Sequence, residues 1–159
     1  MVSQGSITGI EWLFEKAIRE NSASSSGDSC VVNKLATGKP AQASTNQHLV
    51  VLTISTYLFR IVALFQFTND AATRSHMAQL AKSQTGEIDE QTLKDTYAEL
   101  VNMVCGAVNR GLGVPFPHIG LSTPFTLESS CANYVSALEP EYLQRFEILL
   151  NDSVRYNLT

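Results

Sequence analysis

The 159-residue chain sets 11 Lys and Arg against 15 Asp and Glu, a formal charge of -4, with 44% hydrophobic and 16% charged residues. That balance suits one domain, residues 1–159, with a sizeable core, and it excludes disorder for most of the length. No run of Lys or Arg supplies the electrostatic footprint that nucleic acid or an anionic membrane requires, so neither is expected as a partner. The opening Met1-Val-Ser-Gln-Gly-Ser-Ile7 has no basic stretch followed by an apolar one, so a cytoplasmic location is expected.

A first helix is predicted over residues 8–20. Ile7, Ile10, Leu13, Phe14, Ala17 and Ile18 trace one face, and Thr8 and Glu11 have the capping-box spacing. Trp12 and Phe14 are expected in the core. After the polar loop of residues 21–28, a strand is read at 30–35, a loop around Gly38-Lys-Pro40, and two adjacent strands at 49–54 and 57–67 that should pair. The apolar stretch 49–67 raises the question of a membrane span. Its Thr53, Ser55, Thr56, Arg60 and Gln66, and its β-branched content, argue for strands instead, with Arg60 on a solvated face.

Thr68 or Asn69 should cap a second helix reaching about residue 82, with Ala72, Met77, Leu80 and Ala81 toward the core. Gly86 ends that connection. A long helix follows and stops around Gly111-Leu-Gly113-Val-Pro115. Beyond it, residues 116–122, 124–129 and 142–150 read as strands, 151–153 as a turn and 154–158 as a last strand. Helices and strands are intermixed without βαβ alternation. The expected architecture is therefore α+β, a largely antiparallel sheet packed against helices on one side.

Most familiar chemistries find no support. The chain contains no GxGxxG, no P-loop and no GxSxG element. Cys30, Cys105 and Cys131 are too far apart for a redox pair or zinc framework, and His48, His76 and His118 are equally scattered, so no metal is expected on the chain itself. Ser122 and Thr123 beside Pro124 lack a companion His-Asp set and read as turn residues.

The informative stretch is Asp95-Thr-Tyr-Ala-Glu99-Leu-Val-Asn102-Met-Val-Cys-Gly106 in the long helix. At about 100° per residue from Leu93, the side chains of Tyr97, Leu100, Val101, Val104, Ala107 and Val108 fall within about 80° of it and form an apolar face. Asp95, Glu99, Asn102, Gly106 and Asn109 fall opposite, between about 160° and 240°. Glu99 and Asn102, three residues apart, can act on one small target, and Gly106 leaves room for something to approach beside them. None of the other nine glutamates has Asn at i+3, so the site would be single.

Asp95-xxx-Glu99-xx-Asn102, followed by a glycine and by Ile119-Gly-Leu-Ser-Thr-Pro124, resembles the signature of the CheC/CheX/FliY family of chemotaxis phosphatases, most closely the CheX branch. The resemblance implies a CheX/CheC-like fold and hydrolysis of the aspartyl-phosphate of a CheY-like response regulator in two-component signalling. It further implies that Asn102 orients the attacking water, that Glu99 pairs with a lysine of the partner, and that Asp95, Gly106 and Asn109 lie at the rim of the interface. The receiver would supply Mg²⁺, so the chain would need no cofactor of its own, and a homodimer paired through the sheets is implied. A non-catalytic adaptor that keeps the docking helix, or a purely structural oligomerisation domain, are the competing readings.

Overall fold

In a computed structural model that describes residues 3–36 and 46–159, the elements follow in the order α1 (Gln4–Asn21), β1 (Cys30–Leu35), β2 (Gln47–Ser55), β3 (Arg60–Thr68), α2 (Ala71–Leu80), α3 (Glu90–Leu112), β4 (Gly120–Leu121), β5 (Phe125–Leu127), a 3₁₀ helix (Ser129–Leu138), β6 (Arg145–Leu150) and β7 (Val154–Leu158). The strands form one antiparallel sheet in the order β1-β6-β7-β3-β2-β4, with β5 also pairing with β2. The expected α+β architecture is what the structure shows. The loop around Gly38 and Pro40 lies outside the described residues.

The predicted pairing of the two apolar segments is the β2–β3 hairpin. Side chains alternate across a strand, so Val50, Leu52 and Ile54, opposite Phe65, Ala63 and Ile61, point to the face covered by α1 and α3. Leu49, Val51 and Leu64 point the other way. There Ala132 and Val135 of the 3₁₀ helix cover them, so helical structure lies on both faces rather than one. Burial on both faces explains why β2 reads as a continuous apolar run. Arg60 is exposed, as expected.

Element ends depart from the sequence reading for identifiable reasons. Ser3, not Thr8, caps α1: its Oγ accepts from the Ser6 N–H at 3.2 Å, while the Thr8 hydroxyl donates to the Gln4 carbonyl from within the helix. Asp70 caps α2 by accepting from the Thr73 N–H at 2.8 Å, and α2 ends at Leu80 because Lys82 turns to φ 55°. Ala81, at its C-terminal cap, is exposed. Residues 116–122 shrink to the two-residue β4, since Pro115 and Pro117 lack the N–H a ladder needs. The Asn151–Asp152 turn joins β6 to β7 with both residues left-handed, at φ 49° and 56°.

Trp12 is 58% exposed and Glu11 only 7%, the reverse of the expectation for Trp12. Two residues apart on a helix are about 200° apart, so Trp12 and the buried Phe14 cannot share a face. The Glu11 carboxylate is held by the Lys34 ammonium and the Tyr142 hydroxyl, and Gln144 Nε2 donates onward to the Leu35 carbonyl at 2.7 Å. A buried carboxylate without such partners would be costly. These contacts tie α1 to β1 and draw Tyr142 and Gln144 out of the predicted strand, which begins at Arg145. A second buried polar link joins α1, α2 and β7: His76 Nε2 donates to the Ser22 carbonyl at 2.8 Å, and Ser22 Oγ lies 2.5 Å from the Tyr156 hydroxyl.

At the centre of the core the Tyr97 ring of α3 stacks on Phe67 of β3, centroids 4.3 Å apart and planes 13° from parallel. Its hydroxyl is buried without a partner among the described residues, and burial pushes that phenol up from its ordinary range. Tyr97→Phe removes an unpaired polar group and keeps the stack. It is expected to leave stability unchanged or raise it by about 1 kcal/mol in urea unfolding. Burial likewise pushes the Cys105 thiol up to about 12. Because the protonated form is the one favoured in the fold, its contribution is intact below the ordinary thiol value of 9.0 and is lost as pH climbs toward 12. Thiol reagents at pH 8 are expected to spare Cys105 in native protein and to label it on unfolding.

Candidate functional site

α3 is fixed at its start by Asp89, which accepts from the Thr92 N–H at 2.8 Å and from the Thr92 hydroxyl at 2.9 Å. These bonds to its charged form hold the Asp89 carboxyl below the usual carboxylate range. Near the other end α1 crosses close by: a β-carbon on Gly111 would come within 2.5 Å of Leu13 Cδ2, so only glycine fits the contact as it stands.

Between these ends Leu93, Tyr97, Leu100, Val101, Val104, Cys105, Val108 and Leu112 are buried. Cys105 and Leu112 lie at about 120° and 100° from Leu93, so the buried arc is rotated by roughly 40° from the one read off the letters. Ala107, on the opposite flank of that arc, is half-buried and Met103 exposed. The rotation decides how the polar strip is presented. Asp95 and Glu99 are exposed, Asn102 and Gly106 are half-buried, and Asn109 sits beside the Cys105 flank with its Oδ1 enclosed and unpartnered among the described residues. Asn109, expected at the outward rim, thus turns its amide oxygen into the protein.

Within the strip, Gln91 Nε2 donates to Asp95 Oδ1 at 2.9 Å, which engages Asp95 with its own helix. The Glu99 and Asn102 side chains make no hydrogen bond or ion pair with any described residue. A β-carbon on Gly106 would find one neighbour, the Arg110 guanidinium at 3.7 Å, so the helix surface beside Asn102 is open. Two surface hollows, one beside Trp12 and Arg19 and one over Val51 and Leu64, contain no α3 residue. A free carboxylate and a free amide one turn apart on a helix surface can orient a water and pair with a cation, and neither of these two hollows includes them.

The other candidates fall into structural roles. Ser122 Oγ accepts from the Thr53 N–H at 2.9 Å and Ser122 N donates to the Thr53 carbonyl at 2.9 Å, so Ser122 extends the ladder between β4 and β5. Cys30, Cys105 and Cys131 are free thiols. Among the described residues no group of three or more His, Cys, Asp or Glu could hold a metal, and no helix is long and apolar enough to cross a membrane.

No protein-family model matches the sequence, and no curated protein matches it. Solved structures do. The chain superposes on the CheX of the CheX–CheY–BeF3–Mg²⁺ complex from Borrelia burgdorferi with a TM-score of 0.62 at 14% identity, covering 96% of each chain. It is also similar to a chemotactic CheC-like protein from Shewanella oneidensis MR-1, with a TM-score of 0.60 at 11% identity over 96% of this chain and 94% of that one. The FliM middle domain of Vibrio alginolyticus gives 0.57 at 12% identity, over 96% and 90%. The fold is that of the CheX- and CheC-like chemotaxis proteins.

Gly106 lies in the interior of α3 and not at a turn, and an alanine methyl there would meet only ordinary van der Waals contact. Gly106→Ala is therefore expected to stabilise the protein by about 0.5–1 kcal/mol, read as a higher urea midpoint.

Proposed function

We propose that the chain is a phosphatase that accelerates hydrolysis of the aspartyl-phosphate on a CheY-like receiver domain. The observation that carries this reading is the presentation of Glu99 and Asn102 on one strip of α3, neither engaged by any other described residue, in a fold shared with CheX. Phosphoryl transfer passes through a loose transition state that asks for charge neutralisation and an aligned nucleophile more than for a strong base. A site carried on the outer surface of a helix suits an enzyme whose partner brings the rest.

In this reading the receiver contributes the phosphorylated aspartate, a lysine and a Mg²⁺ that neutralises phosphoryl charge, and the chain needs no cofactor of its own. Asn102 enters the partner's site and holds a water for in-line attack through its amide oxygen. A carboxylate in that position would be repelled by the phosphoryl dianion, whereas an amide accepts and donates without net charge. Glu99 pairs with the partner's lysine and sets the docking register. Asp95 and Gly106 border that contact, Gly106 by leaving the helix surface low beside Asn102.

A homodimer joined through the sheets is part of the proposal. Phe125, Leu127, Tyr134 and Leu138 are 47%, 38%, 71% and 59% exposed around the hollow on the outer sheet face, and this cluster of exposed apolar side chains supports pairing with a second copy there. A cytoplasmic location, where a CheY-like regulator would be met, belongs to the same proposal. The second reading is a non-catalytic receiver-binding adaptor that keeps the docking helix, since one fold hosts many functions and this one is shared with the FliM middle domain.

Phosphate release from phosphorylated receivers separates the two. Asn102→Ala is expected to keep partner binding and to lose about 2–4 kcal/mol of transition-state stabilisation, a fall in turnover of about 30- to 900-fold. Unchanged turnover would remove Asn102 from the chemistry. Glu99→Ala should act mainly on docking, raising KM; normal activity at limiting receiver would show its carboxylate to be incidental. A wild-type chain that binds phosphorylated receiver without speeding phosphate loss would establish the adaptor.

A further inference from the structure

The outward strip of α3 has a second charged end. Asp95 and Glu99 stand toward its start, and Arg110, about 20° round the helix from Glu99, stands at its finish. Arg110 is exposed and makes no hydrogen bond or ion pair with another described residue. Helical side chains lean toward the N-terminus, and this one does so over Gly106, where Nη1 lies 3.7 Å from the place a β-carbon would occupy. The lean brings the guanidinium from an α-carbon about 12 Å beyond Asn102 to within roughly one helical turn of it.

We propose that Arg110 is the docking cation of the strip: it pairs with a carboxylate of the partner beside the phosphorylation site and so selects one of the two directions in which α3 can lie across that partner. The inference rests on the phosphatase or adaptor reading above. A strip acidic at one end and basic at the other fits a surface that offers a cation and an anion in the same order, and reversing the helix would set like charges together. The forked guanidinium matches a carboxylate in two-point geometry, which a lysine ammonium does not. At about one turn from Asn102 it falls outside the space that the water and phosphoryl group would fill.

The test uses the full chain with a phosphorylated CheY-like receiver, in wild type, Arg110→Ala, Arg110→Lys, Arg110→Glu and Asn102→Ala, with KM (Kd for a chain that binds without hydrolysing), kcat, salt dependence and melting temperature recorded together. Arg110→Ala is expected to raise KM or Kd about three- to fivefold with kcat kept, and to flatten the salt dependence. Arg110→Glu should raise it about tenfold or more, Arg110→Lys should recover part of the loss, and an acidic-to-lysine change on the receiver should rescue Arg110→Glu. Unaltered KM or Kd and salt dependence in all three variants, with only melting temperature lowered, would make Arg110 a helix-end cation acting on the α3 dipole and would overturn the proposal. That result leaves the functional reading intact if Asn102→Ala is still impaired. A wild-type chain that neither binds nor dephosphorylates any phosphorylated receiver overturns both.

Discussion

The packing of α3 across the β2–β3 hairpin sets the angle at which everything functional is presented. Leu93, Tyr97, Val101, Val104, Cys105 and Val108 have no exposed surface, and Tyr97 is clamped on Phe67, which also lies against Phe65 and Tyr156. Each large apolar side chain so buried contributes on the order of 1.5–3 kcal/mol, and a close-packed interior tolerates little rotation. Turning the helix by one residue would bring the Glu99 carboxylate toward the sheet and drive apolar groups into water. The polar strip has one orientation because the apolar arc has one.

A helix held so firmly can act as a rigid tool. Preorganisation matters for a residue asked to hold a water in line, since each side chain that must be ordered on association costs affinity. Asn102 rides on backbone fixed by Val101 and Val104, residues on the buried side of the same turns. The surface there is shaped to enter a partner, and the chemistry it can do depends on what the partner brings.

Much of this was legible in the letters where one physical signal dominated. The apolar, β-branched run that became β2 and β3, the 3.6-residue pattern of α3 and the Asn151-Asp-Ser153 turn each express a single local preference. Misreadings arose where two signals competed or where the partner lay far along the chain. Cys105 behaves as a small apolar residue, which shifted the buried arc and drew Asn109 inward. Glu11 counts as polar by type but is buried, because Lys34 and Tyr142, distant in sequence, neutralise and bond it. The 3₁₀ helix that covers the outer sheet face sets its buried Ala132 and Val135 three residues apart, a spacing that matches neither a strand nor a sustained α-helical stripe, and the two prolines after α3 cut short a strand that residue preferences favoured. For the site, the letters placed Glu99 and Asn102 on one strip; which of its members face water depended on packing that only the fold defines.

The chain's one tryptophan stands on the water-facing side of α1, with the Lys16 ammonium 5.3 Å above its ring. Its emission therefore reports the solvent at the helical layer and not the condition of the core. A partner whose footprint stops at α3 leaves that light unchanged, while one that spreads over α1 as well moves it to the blue, so a single indole becomes a gauge of how widely the molecule is covered when it is bound.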